Sequence, residues 1–127
     1  HPQGRPRAAG QAHLRLGDAL RNRGDHIYAA AAYQDAIRRK PSYPEAQVNL
    51  GVTLASLGRI DEAMAAYRQA LALAPGFATA RFNLAGLLLS KGDTQAALHE
   101  YTAVLGGDDP QARRLAAQAI AQIRGQR

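Results

Sequence analysis

Apolar and polar positions alternate along this chain with the period of helices that bury one face. From Gly10 to Asn22 the apolar residues Ala12, Leu16, Ala19 and Leu20 recur three or four positions apart, which predicts a helix. Arg23-Gly24-Asp25 breaks the pattern. Glycine takes the left-handed conformation that ends a helix, and Asp25 can cap the next one or favour its positive end. A second helix is expected from His26 to Arg39, with Ala29, Ala32, Tyr33, Ala36 and Ile37 on one face. Pro41 and Pro44 close it, because neither can donate into a continuing helix. The unit then recurs twice. Pro44–Ser56 and Ile60–Leu73 flank a turn at Gly58, and Ala78–Ser90 and Thr94–Leu105 flank one at Gly92. Asp108-Asp109-Pro110 starts a last helix to Arg124, striped with Ala112, Leu115, Ala116, Ala119, Ile120 and Ile123. Short turns between helices of this length force antiparallel neighbours.

The recurrence has one fixed spacing. Leu16, Leu50 and Leu84 lie 34 residues apart, as do Gly24, Gly58 and Gly92, and Tyr33, Tyr67 and Tyr101. Ala29, Ala63 and Ala97 follow the same interval, and so do the pairs Gly17 and Gly51, Ala36 and Ala70, and Pro41 and Pro75. A period in this range signals stacked helix pairs, in which each unit buries its neighbour's open face.

These residues resemble the tetratricopeptide repeat. The first unit carries the pattern as Leu16-Gly17, Ala29, Tyr33, Ala36 and Pro41, and the second as Leu50-Gly51, Ala63, Tyr67, Ala70 and Pro75. The third keeps Leu84, Ala97 and Tyr101, but has Ala85 for Gly, Val104 for Ala and Asp109 for Pro. His13, Gln47 and Arg81 hold the family's Trp slot, and Leu20, Leu54 and Leu88 its first-helix aromatic slot. The resemblance implies an all-α, right-handed superhelical solenoid of seven helices. Its expected organisation is a flexible lead-in over 1–9, repeats over 10–43, 44–77 and 78–109, a capping helix over 110–124 and a tail over 125–127. Gly17 and Gly51 are expected to let paired helices approach, and the tyrosines to fill the gap between one unit and the next.

Charge and composition change this picture little. The net charge of +6 divides into +5 over 1–40, −2 over 41–108 and +3 over 109–127. Basic ends could attract nucleic acid, but no aromatic stacking pattern accompanies them, so solvated arginine is the preferred reading. Cysteine is absent, which excludes thiol catalysis and disulfides. His1, His13, His26 and His99 lack metal-ligand spacing, and no nucleophile is given a base, so no metal, cofactor or catalytic residue is expected. No apolar run approaches the roughly 18 residues needed to span a bilayer. The chain opens on His rather than Met, so a segment removed upstream is expected and the compartment is left open.

The resemblance locates a binding face instead. In this family the first helices of successive units line a concave groove that holds a peptide or partner segment. The matching positions are Leu14, Arg15, Asp18 and Arg21 in the first unit, Val48, Asn49 and Val52 in the second, and Phe82, Asn83 and Leu89 in the third. Leu14, Val48, Val52, Phe82 and Leu89 would give it an apolar lining. Asn49 and Asn83 share one slot, and an amide can bond a peptide backbone in both senses. The column is similar to the asparagine ladder of the repeat domain in O-linked N-acetylglucosamine transferases; the other reading of these amides is structural, bonding to neighbouring helices. The chaperone-binding carboxylate clamp is met at one of five positions, Asn49; Leu14, Asp18, Thr79 and Asn83 occupy the other four. The leading expectation is a non-catalytic protein-interaction scaffold. Its rivals are a substrate-presenting or targeting domain of a larger enzyme, such as a glycosyltransferase, and a self-assembling homo-oligomer.

Overall fold

Three glycines place the turns. Gly24, Gly58 and Gly92 have φ of 86°, 78° and 88°, a region that costs glycine nothing and other residues much. At each, the residue after the glycine donates its N–H across the turn at 2.9 Å, Asp25 to Leu20, Arg59 to Leu54 and Asp93 to Leu88. That pairing satisfies carbonyls a helix end would otherwise leave open.

A computed structural model describes residues 6–125, and these form seven helices and no strand. They are α1 (Pro6–Asn22), α2 (His26–Arg39), α3 (Pro44–Ser56), α4 (Ile60–Leu73), α5 (Ala78–Ser90), α6 (Thr94–Leu105) and α7 (Pro110–Gly125). Helices α2 to α6 run where the apolar pattern puts them. The expected lead-in is corrected in part: α1 already starts at Pro6, because proline at a first helical position has the right φ and no N–H to waste. Residues 1–5 and 126–127 lie outside the described residues. Asp25 makes no capping bond and instead lies 3.6 Å from Arg23. Asp93 does cap, accepting from the Ala96 N–H at 3.2 Å, and Asp109 accepts from Gln111 and Ala112 at 3.0 and 3.1 Å.

The chain divides into two compact units, residues 1–73 and 74–127. In the first, α1 pairs with α2, α3 with α4, and α2 packs on α3. Its core is alanine-rich, with Ala29, Ala36, Ala46, Ala63 and Ala70 fully buried. Small side chains let the helix axes approach, and the tyrosines fill what space remains. Tyr33 also packs inside its own repeat: a Cβ built on Gly17 would sit 2.6 Å from the Tyr33 ring, and one on Gly51 equally close to Tyr67. Each glycine is thus a socket for its own repeat's tyrosine.

Stacking shows in the contrast between equivalent positions. Ala46, Leu50 and Thr53 on α3 are buried, whereas Ala12, Leu16 and Ala19 on α1 are exposed, Leu16 by 50% against 7% for Leu50. Among the described residues α1 meets α2 and α3, with nothing in the place that α2 takes against α3. Ile27 and Tyr28, at the start of α2, are both 70% exposed.

In the second unit α5 pairs with α6, and α7 packs on both. The buried line of α7 is Ala112, Ala116 and Ile120, a four-residue spacing that keeps them on one face of the helix. Ala85 replaces the glycine socket, and Tyr101 meets Phe82 edge-on with ring centroids 5.4 Å apart.

Candidate functional site

The expected groove residues separate into a core set, a hydrogen-bonded set and an open set. Leu14 and Val48 belong to the core at 8% and 4% exposure, which corrects their expected place in an apolar lining. Phe82, in the same slot of the third repeat, turns toward Tyr101 of its partner helix. Arg15 is exposed, while Val52 and Leu89 are half-buried.

Asp18, Asn49 and Arg21 come together in the first unit. The Asp18 carboxylate accepts from the Tyr33 hydroxyl and from Asn49 Nδ2, the latter at 3.1 Å, with Arg21 at 4.0 Å. Burial first, and then this bond to Asp18, raise the Tyr33 hydroxyl above the ordinary tyrosine range. Asn49 therefore ties α3 to α1, as its structural reading expects. Its amide is partly committed before any ligand arrives.

Asn83, in the same slot of the third repeat, makes no hydrogen bond among the described residues and is half-buried. It lines a cleft of about 330 Å³ with Thr79 and Phe82 from α5, Ala112 and Leu115 from α7, and Asp109 and Gln111 at the start of α7. Leu115 is 43% exposed, a large apolar side chain left open beside a polar amide. An adjoining hollow of about 450 Å³ shares Thr79 and Asp109 and adds Asp108. The α7 wall escaped the sequence reading, which assigned Leu115 wholly to capping. Its signal was the width of the α7 stripe, broader than the single line the contact with α6 buries.

Arg81, in the family's Trp slot, is fixed by other bonds. Its guanidinium donates to Glu100 at 2.8 Å and to the Pro75 carbonyl at 3.1 Å, holding α5 to α6 and to the preceding loop. Among the described residues no group of three metal-binding side chains gathers, and no helix is long and apolar enough to cross a membrane.

Glycine sockets, turn glycines and tyrosines at one register are the marks of a helix-pair repeat. Tetratricopeptide-repeat models match residues 4–44, 14–76 and 54–123. The chain belongs to the tetratricopeptide-repeat family. Solved structures of that fold resemble it closely. The TPR2B domain of yeast Sti1, in a complex with pHsp70, has a TM-score of 0.86 at 22% identity, over 94% of this chain and 99% of that one. The first TPR of Spaghetti (RPAP3), bound to the HSP90 peptide SRMEEVD, gives 0.78 at 18% identity over 91% and 95%. MamA gives 0.76 at 25% identity over 87% of this chain, which spans 61% of the MamA chain. No curated protein matches the chain. The fold is thus the all-α repeat fold of the family, whose members serve as protein-interaction scaffolds.

Proposed function

We propose that this tetratricopeptide-repeat chain is a non-catalytic scaffold that holds a peptide or partner segment against the first helices of its repeats. We read three repeats, over 10–43, 44–77 and 78–109, with 110–124 as the capping helix. The observation that carries the reading is the cleft between α5 and α7, where half-buried Phe82 and exposed Leu115 lie beside the unbonded amide of Asn83. An apolar wall faced by a few placed polar groups, here Thr79, Asn83, Asp109 and Gln111, is a usual form of a ligand site. Peptide-bound relatives of the same fold support it. Arg15, Arg21, Val52 and Leu89 are the further candidates for contact, and Asn49 is a weaker one because Asp18 holds it.

The test is comparative capture from the source organism's extract with wild type and with Leu115→Lys. Leu115 is exposed enough for lysine to be tolerated. Proteins retained by wild type and lost by the variant are expected; an identical set from both would exclude this cleft. A second reading rests on the open α1 face of Ala12, Leu16 and Ala19, which favours self-association. Sedimentation across a concentration series would show a constant monomer if that face does not self-associate.

A further inference from the structure

The cleft's electrostatics runs against the charge of the chain around it. The protein carries +6 overall, yet no Lys or Arg lines either the α5–α7 cleft or the hollow that adjoins it. The ionisable side chains on those walls are Asp108 and Asp109. Arg81 shares a third hollow, of about 330 Å³, with Asp108, but its guanidinium is held by Glu100 and the Pro75 carbonyl. Arg113 and Arg114 line a separate hollow with Leu105 and Pro110. Asp108 forms no ion pair among the described residues. The start of α7 would ordinarily attract an anion, because its free N–H groups and helix dipole point outward. Here Asp109 already accepts those N–H groups at 3.0 and 3.1 Å, so a ligand carboxylate would meet the chain's own carboxylate instead.

Resting on the groove reading above, we infer that this cleft takes a partner segment in which a bulky apolar side chain is flanked by lysine or arginine. The apolar group enters between Phe82 and Leu115, the segment's backbone meets the Asn83 amide, and the basic flank lies along Asp108 and Asp109. The same geometry rejects acidic tails. It lacks the cations that a terminal carboxylate would need, and it places two carboxylates where such a tail would run. Like charges brought together cost binding, while opposite charges at a partly exposed rim add modest affinity and more selectivity.

The experiment uses fluorescence polarisation with the whole chain and three labelled synthetic decapeptides. Each carries the same two leucines, and the flanking positions are all Lys, all Gln or all Glu. The Lys peptide is expected to bind about three- to tenfold more tightly than the Gln peptide, the Glu peptide more weakly still, and the preference to shrink as salt rises. Asp108→Asn with Asp109→Ser removes both charges and keeps a capping hydroxyl at 109, so the helix start is preserved. That variant should bind all three peptides within about twofold, a loss of rim charge rather than of the apolar seat. Equal binding of the three by wild type, or a preference for Glu, overturns the basic-segment inference while leaving the groove reading intact. Failure of all three to bind also overturns it. In either case the Leu115→Lys capture comparison decides the groove reading separately. A Lys preference that survives the double substitution would place the recognition elsewhere and sink the assignment to this cleft.

Discussion

Replacing Gly51 with alanine and, separately, Gly86 with alanine sets the tyrosine socket against simple helix propensity. Both glycines lie inside helices, so each change gains about 1 kcal/mol from helix propensity alone. Their surroundings differ. A Cβ at 51 would lie 2.6 Å from Tyr67 Cε1 and 2.9 Å from Cδ1 and Cζ, inside a ring that is 2% exposed. A Cβ at 86 would lie 3.7 Å from the Tyr101 hydroxyl, an ordinary contact. Overpacking a buried ring costs about 1–3 kcal/mol, because the ring cannot move without displacing its neighbours. Subtracting the two variants cancels the propensity gain and leaves that overpacking cost as their difference. Urea unfolding followed by circular dichroism at 222 nm measures it, with the m-value checked for change because repeat arrays can lose two-state behaviour. Gly86→Ala should raise the midpoint and Gly51→Ala should not. A double substitution with Tyr67→Leu should show positive coupling, since the smaller side chain relieves the clash. Equal stabilisation by both alanines would refute the socket, and with it the reason offered for the Leu-Gly pair in the repeat.

Three smaller comparisons follow from named contacts. Asn49→Ala breaks the bond to Asp18 and should cost about 1 kcal/mol, while Asn83→Ala, with no bond to lose, should stay within about 0.5 kcal/mol by the same denaturation assay. The Tyr33 hydroxyl is raised above its ordinary 10.0 by burial and by Asp18, so its share of stability is fully present below pH 10. That share should fall as pH climbs beyond 10, and Tyr33→Phe should flatten that part of the curve, leaving the smaller slope from Tyr101, which burial also raises. Asp93→Ala removes a cap bond and should lower stability by about 0.5–2 kcal/mol, whereas Asp25→Ala removes none and should be nearly silent in thermal melts.

What could be read from the sequence was what local rules decide. Helix bounds from α2 to α6, the left-handed turn glycines and the cap at Asp109 each depend on a few adjacent residues, so the chain states them directly. The rest depends on which way a face turns once helices pack. Leu14 and Val48 sit one residue from Arg15 and Asn49, and a rotation of one helical step separates burial from exposure. Tyr33 meeting Gly17 inside its own repeat is likewise a matter of crossing geometry. The Asp18–Asn49 bond joins residues 31 positions apart on different repeats, a pairing that no local pattern encodes. The α7 wall is illegible for a related reason: a capping role accounts for the whole apolar stripe, and only packing leaves Leu115 open while burying Ala112, Ala116 and Ile120.

The site lies where the period fails. One slot reads Leu14, Val48 and Phe82, and another reads Pro41, Pro75 and Asp109, so the third repeat departs from its siblings at two residues that both line the cleft. Packing does not demand either change, since the same slots stack the first unit with smaller side chains and a proline. Phe82 adds an aromatic wall that stays half-open, and Asp109 adds a carboxylate at the rim while capping α7. Drift places departures without regard to the cleft, as Ala85 and Val104 of the same repeat do by lying outside its lining, whereas a ligand site would select the two inside it. Phe82→Leu restores the first repeat's residue and separates these explanations. It is expected to keep helix content by circular dichroism while weakening the Lys-flanked peptide about threefold or more, since part of one apolar wall is withdrawn from contact. Unchanged affinity would mean that the departures are drift and that the cleft is only the seam left by a capping helix.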